Sequence, residues 1–404
     1  METYQNYING EWVDSNSEKT IPNLNPADPA DTLGTVRLST LEDLRWAIGS
    51  AEAALIEWKT FPVQEKAEFL ERARKILGER KEEIIAGITR EEGKRPGEAE
   101  EELNHTIRML KWTAGEASRL TPTSEKSRYT IRQSLGVVAT MTPYNMPLAA
   151  PFWKIAPALL AGCSVVFTPS SLTPLSATWV AKVFEEAGLP PGVLNLVHTS
   201  EETASEVFLD HPAVRAISFT GSPETGKRLA EGAARKGKKV QCEMGGKNAV
   251  ILLSDADLDK ALGGIVQGAF GSTGQRCTAT SRAIVEEGIY TDFLGQLIDR
   301  TSRLKIGDGL DPDVDVSPLS SQYQLDKVME YIGIGTEEGA NLAYGGHVLS
   351  DGDYSKGYYI EPTIFTDVTP DMRIAKEEIF GPVLTVFKAT DLEDAVNISN
   401  DVQF

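Results

Sequence analysis

Cysteine is scarce in this sequence: only Cys163, Cys242 and Cys277 occur in 404 residues. Their number and spacing fit neither a disulfide framework nor a zinc site. A chain so poor in cysteine is typical of a reducing compartment. We therefore expect a cytoplasmic protein without a metal centre.

Long apolar segments and excess positive charge are also lacking. No apolar run approaches the ~18 residues that cross a bilayer, and the start, Met1 to Tyr7, lacks the basic and apolar regions of a signal peptide. The formal net charge of −19 argues against nucleic acid and anionic membranes as partners. What is present is an ordinary globular composition, 41% hydrophobic and 25% charged, in a length that suits two or three domains.

The N-terminal third predicts mainly helices. Periodic apolar positions predict helices over Leu41–Lys59, Val63–Glu92 and Glu98–Leu120, the last ended by Thr121-Pro122. The following segment, Arg128–Arg132, alternates like an exposed strand and shows no local partner. We expect it to form an arm that packs elsewhere, for example on another subunit.

From Gly136 onward, strand-like and helix-like segments alternate. This pattern predicts parallel sheets with right-handed crossovers, which bind ligands at the carboxyl ends of their strands. The first series comprises Gly136–Thr142, Pro147–Ala161, Ser164–Thr168, Leu175–Ala187, Leu194–His198, Glu202–Leu209, Ala216–Thr220 and Glu224–Lys236. The second comprises Ala249–Leu253, Leu258–Phe270, Ala283–Val285, Thr291–Leu304 and Ser321–Gly339.

The segment Gly271–Thr278 is the most suggestive stretch of the chain. It places Cys277 after a Gly-rich turn, between a predicted helix over Asp257–Ala269 and a strand that begins at Ser281. A thiol at such an exposed junction is accessible for nucleophilic attack. The alternative is the usual fate of an unbridged cysteine, a small buried hydrophobe.

Phe219–Gly226 forms a strand-to-helix turn in which Gly221 lets the backbone approach a phosphate beside the helix N-terminus. The alternative is an ordinary helix cap, with Ser222 as N-cap and Pro223 at the first helical position. On the local pattern alone, the helix cap is the better interpretation.

Three further motifs place carboxylate or amide side chains at candidate functional positions. Glu243 precedes two glycines at a strand end, where a carboxylate in a partly dry cleft can act as a base. Asn145 lies between two prolines on a stiff loop, and Glu377-Glu378 precedes an Ile-Phe-Gly-Pro turn. The alternatives are a carboxylate that caps the Gly-Gly turn, a simple turn asparagine and a surface acidic pair.

Taken together and in this order, these motifs resemble the aldehyde dehydrogenase superfamily: Pro-x-Asn-x-Pro, Phe-Thr-Gly-Ser, Glu-x-Gly-Gly-Lys, Gly-Gln-x-Cys and Glu-Ile-Phe-Gly-Pro. The resemblance runs from Tyr7 to Phe404. It implies an α/β fold with a Rossmann-like dinucleotide-binding domain, an α/β catalytic domain across a cleft, and a small β-arm that oligomerises. We expect the dinucleotide-binding domain at 1–120 and 137–246, the arm at 121–136 and the catalytic domain at 247–404.

The resemblance implies a chemistry for four residues. Cys277 is the nucleophile that forms a thiohemiacetal and then a thioester with the aldehyde. Asn145 and the Cys277 backbone N–H hold the oxyanion. Glu243 activates the hydrolytic water, which favours a free acid over acyl transfer to coenzyme A, and Lys154 serves proton relay or positioning.

The resemblance also implies an NADP or NAD site. Two departures from the family pattern bear on the choice: Thr168 replaces a usual lysine that binds the adenine ribose, and Ser171 replaces a glutamate common in NAD-preferring members. The first weakens NADP binding and the second permits it, so the choice stays open, with NADP slightly favoured. The expected cofactor-binding residues are Thr142, Tyr144, Thr168, Ser171, Gly221, Ser222, Gly226, Gly245, Glu378 and Phe380.

Gly271–Arg282 is similar to the corresponding motif of 2,5-dioxopentanoate (α-ketoglutarate semialdehyde) dehydrogenases. Arg276, beside the nucleophile, could pair with a substrate carboxylate, so we expect an acid semialdehyde; the alternative is an ordinary ion pair. Succinate semialdehyde, lactaldehyde and general aliphatic aldehydes remain alternatives, as does a non-catalytic protein on this fold. The expected substrate-binding residues are Arg276, Thr278, Met146, Trp153 and Arg108.

Family members usually continue well beyond Phe404. We therefore expect a C-terminally incomplete catalytic domain and an arm that lacks its C-terminal partner strand. If that strand exists, the expected assembly is a homodimer or a homotetramer.

Overall fold

The computed structural model describes residues 2–120, 123–125 and 128–404. The chain divides into two compact units. Unit 1 comprises Met1–Leu24, Asp31–Glu91 and Gly97–Met244, and unit 2 comprises Asn25–Ala30, Glu92–Pro96 and Gly245–Phe404. Within the described residues, no helix has the length and apolar character needed to cross a membrane.

The strands are three to ten residues long. In chain order they are β1 (Glu2–Tyr4), β2 (Asn6–Ile8), β3 (Glu11–Val13), β4 (Thr20–Asn25), β5 (Asp28–Arg37), β6 (Thr123–Glu125), β7 (Arg128–Thr130), β8 (Val137–Met141), β9 (Ser164–Thr168), β10 (Leu194–Leu196), β11 (Val214–Thr220), β12 (Lys239–Glu243), β13 (Ala249–Leu252), β14 (Arg282–Glu286), β15 (Asn341–Tyr344), β16 (Thr363–Thr366) and β17 (Val383–Ala389).

The helices cover the sheets. In chain order they are α1 (Leu41–Trp58), α2 (Val63–Glu79), α3 (Lys81–Glu92), α4 (Pro96–Gly115), α5 (Ala117–Leu120), α6 (Ala149–Leu160), α7 (Pro174–Glu186), α8 (Glu201–Asp210), α9 (Pro223–Arg235), α10 (Leu258–Phe270), α11 (Glu287–Ser302), α12 (Gln322–Glu337), α13 (Arg373–Lys376) and α14 (Leu392–Asn400). Short 3-10 helices occupy Gly271–Gly274 and Gly352–Lys356.

Unit 1 is built on a seven-stranded sheet in the order β12-β11-β8-β9-β10-β2-β3. The strands from β12 to β10 are parallel, and β2 and β3 join antiparallel at one edge, with Tyr7 opposite Leu196. The central strands β8 and β9 are buried along their whole length, as parallel strands covered on both faces should be. The predicted α/β fold class is therefore confirmed.

Helices pack on both faces of this sheet. Leu70, Phe152 and Phe184 belong to the apolar core on one face, and Leu44 and Phe208 belong to the core on the other. The rings of Phe152 and Phe184 stack with centroids 5.2 Å apart. Because each such side chain contributes roughly 1.5–3 kcal/mol by its burial, α6 is held firmly against the sheet.

Unit 2 contains a five-stranded sheet in the order β13-β14-β17-β16-β15. Its strands are parallel except β15, which runs antiparallel to β16. Val328 and Phe365 belong to the core on one side, and Phe270 and Phe293 belong to a second core. The second predicted α/β series thus forms a sheet of its own.

Three local predictions are wrong. The helix predicted over Glu98–Leu120 is interrupted at Glu116, which separates α4 from α5. The helix predicted over Val63–Glu92 is broken at Arg80, where the backbone leaves helical geometry (φ −96°, ψ 14°). The segment Arg128–Arg132 was expected to lack a local partner, but β7 pairs antiparallel with β6, Thr130 opposite Thr123. The predicted helix stop at Thr121-Pro122 lies outside the described residues.

Buried His198 makes the stability of the fold depend on pH. Its side chain is 2% exposed, beyond the end of β10, and burial lowers its pKa from 6.5 to about 4. The unfolded chain therefore binds this proton more readily than the folded one, so stability present above pH 6.5 is lost as pH falls toward 4. The expected loss is about 3 kcal/mol.

Denaturant unfolding at pH 7 and pH 4.5 would measure this effect. His198→Gln should lose clearly less stability over that interval than the parent chain, whereas His347→Gln, which changes an exposed histidine, should behave like the parent. Equal losses in all three proteins would contradict the assignment.

Candidate active site

The carboxyl ends of four parallel strands lie at one edge of the sheet in unit 1. Met141 at the end of β8 is opposite both Thr168 of β9 and Phe219 of β11. Thr220 of β11 is opposite Glu243 of β12. This is the edge at which α/β sheets bind ligands, and it carries most of the cofactor positions predicted in unit 1.

The turn after β11 is both a helix cap and a candidate anion site. Ser222 is the N-cap of α9: its Oγ accepts a hydrogen bond from Thr225 N at 3.2 Å, and Pro223 follows at the first helical position. The helix-cap interpretation is therefore confirmed. The other backbone N–H groups of the first turn still point to the same end, where an anion is stabilised.

Two glycines of this turn lie where a side chain would collide with a neighbour. A Cβ atom at Gly221 would overlap the ring of Phe219, and one at Gly226 would overlap Met244. Glycine at these positions therefore lets the start of α9 pack closely against Phe219 and Met244. The backbone donors of the first turn fit the pyrophosphate of a dinucleotide.

The other predicted cofactor positions of unit 1 follow β8 and β9. Thr142 N donates to Thr168 O at 3.2 Å, which ties the two strand ends together. The Thr168 hydroxyl donates to Thr140 O at 3.3 Å and is buried. Tyr144 and Ser171 are partly buried in the loops that follow the two strands. Their roles in cofactor choice remain predictions.

Asn145 lies buried on the loop that joins β8 to α6. The helix that follows is capped by a residue that the sequence analysis missed. One carboxylate oxygen of Glu102, on α4, accepts hydrogen bonds from Leu148 N at 2.8 Å and Ala149 N at 2.9 Å. Glu102 is 3% exposed, so the start of α6 and the loop before it are anchored from the interior.

Lys154 and Glu243 belong to one hydrogen-bonded chain. Lys154 Nζ donates to Ser218 Oγ at 3.1 Å and to Gln241 Oε1 at 3.4 Å. Gln241 Nε2 in turn donates to Glu243 Oε1 at 2.7 Å. Burial lowers the pKa of Lys154 to about 8, although the Glu243 carboxylate opposes this shift. Unit 1 thus brings together two of the four predicted catalytic residues, linked through Gln241.

In unit 2, the segment before Cys277 has an unusual backbone. Ser272, Thr273 and Gly274 all have positive φ, at 49°, 54° and 68°. A left-handed conformation costs roughly 1–2 kcal/mol for each residue other than glycine. Thr273 is held there by its buried hydroxyl, which donates to Ser317 O at 2.7 Å. Strain of this kind is concentrated at functional sites.

Cys277 is exposed, so the interpretation as a buried hydrophobe is wrong. Its neighbour Thr278, a predicted substrate contact, is exposed too. Asn248, which the sequence analysis missed, donates from its side chain to Cys277 O at 2.7 Å and to Ala279 O at 3.0 Å. These bonds fix the backbone on which the thiol is carried.

Arg276 lies against the last turn of α10. One guanidinium nitrogen donates to Gln267 O at 2.8 Å and to Gly268 O at 3.1 Å. A cation at a helix C-terminus is favoured by the carbonyl dipoles. Arg276 therefore ties the cysteine loop to α10, and its predicted contact with a substrate carboxylate remains a proposal.

The acidic pair before the Ile-Phe-Gly-Pro turn has two different environments. Glu377 is ion-paired with Arg373 at 2.9 Å, so the surface-pair interpretation applies to this residue. Glu378 is more deeply placed, accepts a hydrogen bond from Gly246 N at 3.2 Å, and has its pKa raised by burial. Phe380, another predicted cofactor residue, has a positive φ of 62°. Glu378 fits the role of binding ribose hydroxyls.

Gly245 is predicted to be essential for the position of Glu378. A Cβ atom at Gly245 would overlap the Glu378 carboxylate. Gly245→Ala should therefore displace that side chain and raise the KM for the cofactor roughly tenfold or more. Gly263→Ala, in α10 and with open space around it, is the matched control. An unchanged cofactor KM in Gly245→Ala would contradict the proposed role of Glu378.

The remaining predicted substrate residues are on α4, α6 and the loop before α6. The rings of His105 and Trp153 meet edge to face with centroids 5.5 Å apart. The Arg108 guanidinium is paired with Glu101 at 2.6 Å. Met146 is partly buried on the Asn145 loop. Because Glu101 offsets its charge, Arg108 is the weaker candidate for a substrate carboxylate.

Comparison with known proteins places this fold in one class, the dehydrogenases that oxidise aldehydes. A model of the aldehyde dehydrogenase family matches residues 12–404. The chain is 45% identical over 408 residues to the alpha-ketoglutaric semialdehyde dehydrogenase of Bacillus subtilis (strain 168), covering 100% of this chain and 84% of that protein.

Solved structures agree. The chain matches betaine aldehyde dehydrogenase from Staphylococcus aureus in complex with NAD+ with a TM-score of 0.96 and 33% identity, over 99% of this chain and 80% of that one. It matches an NADP-dependent enzyme from E. coli with a TM-score of 0.94 and 36% identity, over 100% of this chain and 84% of that one.

The chain belongs to the aldehyde dehydrogenase family. The predicted family, fold and class of enzyme are thereby confirmed: an oxidoreductase that acts on aldehydes with a nicotinamide cofactor, NAD or NADP. The roles of the individual site residues are proposals.

Proposed function

We propose that the protein oxidises an acid semialdehyde, such as α-ketoglutarate semialdehyde, to the corresponding carboxylic acid. The observation that carries this proposal is the exposed Cys277 thiol on a loop anchored by Asn248 and Arg276. The 45% identity to an alpha-ketoglutaric semialdehyde dehydrogenase supports the substrate class. The arginine beside the nucleophile supports a carboxylate on the substrate.

The proposed reaction begins with Cys277. Its thiolate sulfur bonds to the aldehyde carbon, and the carbonyl oxygen becomes an oxyanion that the Asn145 amide and the Cys277 backbone N–H stabilise. The cofactor supplies the acceptor for the hydride that leaves this carbon. Loss of that hydride, with its two electrons, re-forms the carbonyl and leaves a thioester on Cys277.

Hydrolysis completes the cycle. Glu243 removes a proton from water while the water oxygen bonds to the thioester carbon. The carbon–sulfur bond then breaks, which releases the carboxylic acid and regenerates the thiolate. Lys154 is linked to Glu243 through Gln241, which supports its role in proton relay or in positioning. The presence of Glu243 favours hydrolysis over transfer of the acyl group to coenzyme A.

Both NAD and NADP fit the proposed site. Thr168 provides no cation for a 2′-phosphate, and Ser171 provides no carboxylate that would repel one. We propose that both cofactors are used, with NADP slightly favoured. Measured specificity constants for the two cofactors decide the order.

Arg276 is the residue on which the substrate proposal depends. Arg276→Ala should lower kcat/KM for α-ketoglutarate semialdehyde at least tenfold more than it lowers kcat/KM for propanal, because only the acid carries a carboxylate to pair. Arg303→Ala, which removes an exposed arginine of unit 2 that is ion-paired with Asp299, is the control. Equal losses for both aldehydes would point to a general aliphatic aldehyde dehydrogenase, in which Arg276 only anchors the loop.

We further propose a cytoplasmic homodimer or homotetramer. The low cysteine content and a catalytic thiol that must stay reduced support the location. On and just after β7, Tyr129 is 74% and Ile131 is 59% exposed, which supports an interface there. Light scattering on Tyr129→Ser/Ile131→Ser should show a smaller species than the parent, and an unchanged mass would place the interface elsewhere.

A further inference from the structure

The side-chain amide of Gln241 is oriented by the hydrogen-bond donors around it. Its Oε1 accepts a hydrogen bond from Ser218 Oγ at 2.6 Å and is 3.4 Å from Lys154 Nζ. An amide oxygen accepts and an amide nitrogen donates, so these two donors select the orientation in which the NH2 group faces Glu243. Gln241 Nε2 donates to Glu243 Oε1 at 2.7 Å.

The backbone produces this arrangement directly. Gln241 and Glu243 are two residues apart on β12 and therefore project from the same face of the strand. Ser218 is the partner of Gln241 in the parallel pair β11–β12. Lys154 reaches the pair from α6, where the packing of Phe152 holds the helix on the sheet. Three separate elements thus converge on one amide.

We propose that Gln241 is a positioning residue for hydrolysis of the thioester. It holds the Glu243 carboxylate in one orientation and links it to the ammonium group of Lys154. The inference rests on the proposed function of Glu243 as the base.

Two properties make the contact effective. A hydrogen bond to an ionised carboxylate is stronger than one between neutral groups. The positive charge beside the amide oxygen polarises the amide and strengthens its donation to Glu243. Only the hydrolytic step uses Glu243, so loss of the contact should slow that step and leave attack by Cys277 unchanged.

An activated ester separates the two steps without any cofactor. p-Nitrophenyl acetate acylates a nucleophilic thiol and releases p-nitrophenolate, and the resulting thioester must be hydrolysed before a second turnover. The initial burst of p-nitrophenolate measures acylation, and the later steady rate measures hydrolysis. Intact mass spectrometry shows the accumulated acyl-protein.

Two variants change the contact in different ways. Gln241→Leu removes the whole amide, and Gln241→Glu keeps an oxygen for Ser218 and Lys154 but places a carboxylate against Glu243. We expect an unchanged burst in both, a steady rate about tenfold lower in Gln241→Leu, a lower rate still in Gln241→Glu, and accumulated acyl-protein. Lys239→Leu, two residues earlier on β12, is the matched control and should hydrolyse at the parent rate.

A double variant tests whether Gln241 acts through Glu243. Gln241→Leu/Glu243→Gln should hydrolyse no more slowly than Glu243→Gln alone. If the slowing caused by the two substitutions were fully additive in the double variant, the proposal would be overturned. An equal slowing of the burst and of the steady rate in Gln241→Leu would also overturn it. If Glu243→Gln hydrolysed the thioester at the parent rate, the assignment of Glu243 as the base would be wrong. If hydrolysis were slow in Glu243→Gln but at the parent rate in Gln241→Leu, only the role of Gln241 would be overturned.

Discussion

Gly274→Ala is expected to reduce aldehyde oxidation roughly 100-fold or more and to destabilise unit 2 by about 3 kcal/mol. Gly274 has a φ of 68°, and a Cβ atom there would overlap the carbonyl group of Gly381 and approach Pro382 N to 2.9 Å. These are backbone atoms of the turn that follows Glu378 and Phe380. The substitution therefore forces apart the cysteine loop and that turn.

The turn cannot retreat from an added methyl group. Gln324, on α12, donates from its buried amide to Ile379 O at 3.2 Å and to Phe380 O at 2.7 Å. Val328 closes the other side, because a Cβ atom at Gly381 would overlap its side chain. The strain must then be relieved by displacement of the cysteine loop.

Activity assays and denaturant unfolding measure the two effects. Gly295→Ala, in α11 with open space around it, is the control and should be as active as the parent and no less stable. Slower alkylation of Cys277 in Gly274→Ala would show that the thiol has been displaced. Parent-like activity in Gly274→Ala would contradict the close approach of the two loops.

Glu102→Leu is expected to destabilise the protein by about 2–5 kcal/mol and to slow attack on the aldehyde roughly 10- to 100-fold. The substitution leaves two buried N–H groups, of Leu148 and Ala149, without the carboxylate oxygen that accepts them. The start of α6 then loosens, and with it the loop that carries Asn145. Misalignment of Asn145, the proposed oxyanion donor, accounts for the expected kinetic loss.

Glu102→Gln is the informative comparison. Both N–H groups donate to the same oxygen, so a glutamine can keep both of these hydrogen bonds while removing the charge. Glu102→Gln should therefore retain most of the activity and stability. Alkylation of Cys277, which forms no oxyanion, should be unchanged in both variants, and a double variant with Asn145→Ala should show non-additive losses in acylation. Equal losses in the leucine and glutamine variants would show that the charge, and not the cap, is what matters.

The sequence predicted the regular part of the fold well. Strands such as β8 and β9 are continuous apolar runs because both of their faces are covered. The pairing of strands that are far apart in the sequence could not be predicted in this way. Tyr7 of β2 pairs with Leu196 of β10, and no local pattern of either segment indicates the other.

Two of the three local errors have physical causes that can be named. The break between α2 and α3 falls at Arg80, and the apolar periodicity continues across it. Because neither proline nor a glycine cap marks this position, the sequence contains no signal for the break. The partner of β7 is Thr123–Glu125, a polar segment without the alternation that identifies a half-buried strand.

Residues with a predicted role follow recognisable motifs, whereas the residues that support them do not. Cys277, Glu243 and Asn145 each lie within three residues of a glycine or proline, which marks the turn that carries them. Glu102 and Gln241 act through tertiary contacts with partners on other elements, and each is an ordinary polar residue within a regular element. One sequence without its structure could not distinguish them from solvent-facing neighbours.

The central claim is that Cys277 carries out NAD(P)-dependent oxidation of an acid semialdehyde. The most direct test is nicotinamide absorbance with NAD and NADP separately, using α-ketoglutarate semialdehyde, succinate semialdehyde and propanal, on this chain and on Cys277→Ser. We expect the highest kcat/KM with α-ketoglutarate semialdehyde, and its loss by roughly 1,000-fold or more in the serine variant. Undiminished turnover in Cys277→Ser, or no turnover of any aldehyde with either cofactor, would contradict it.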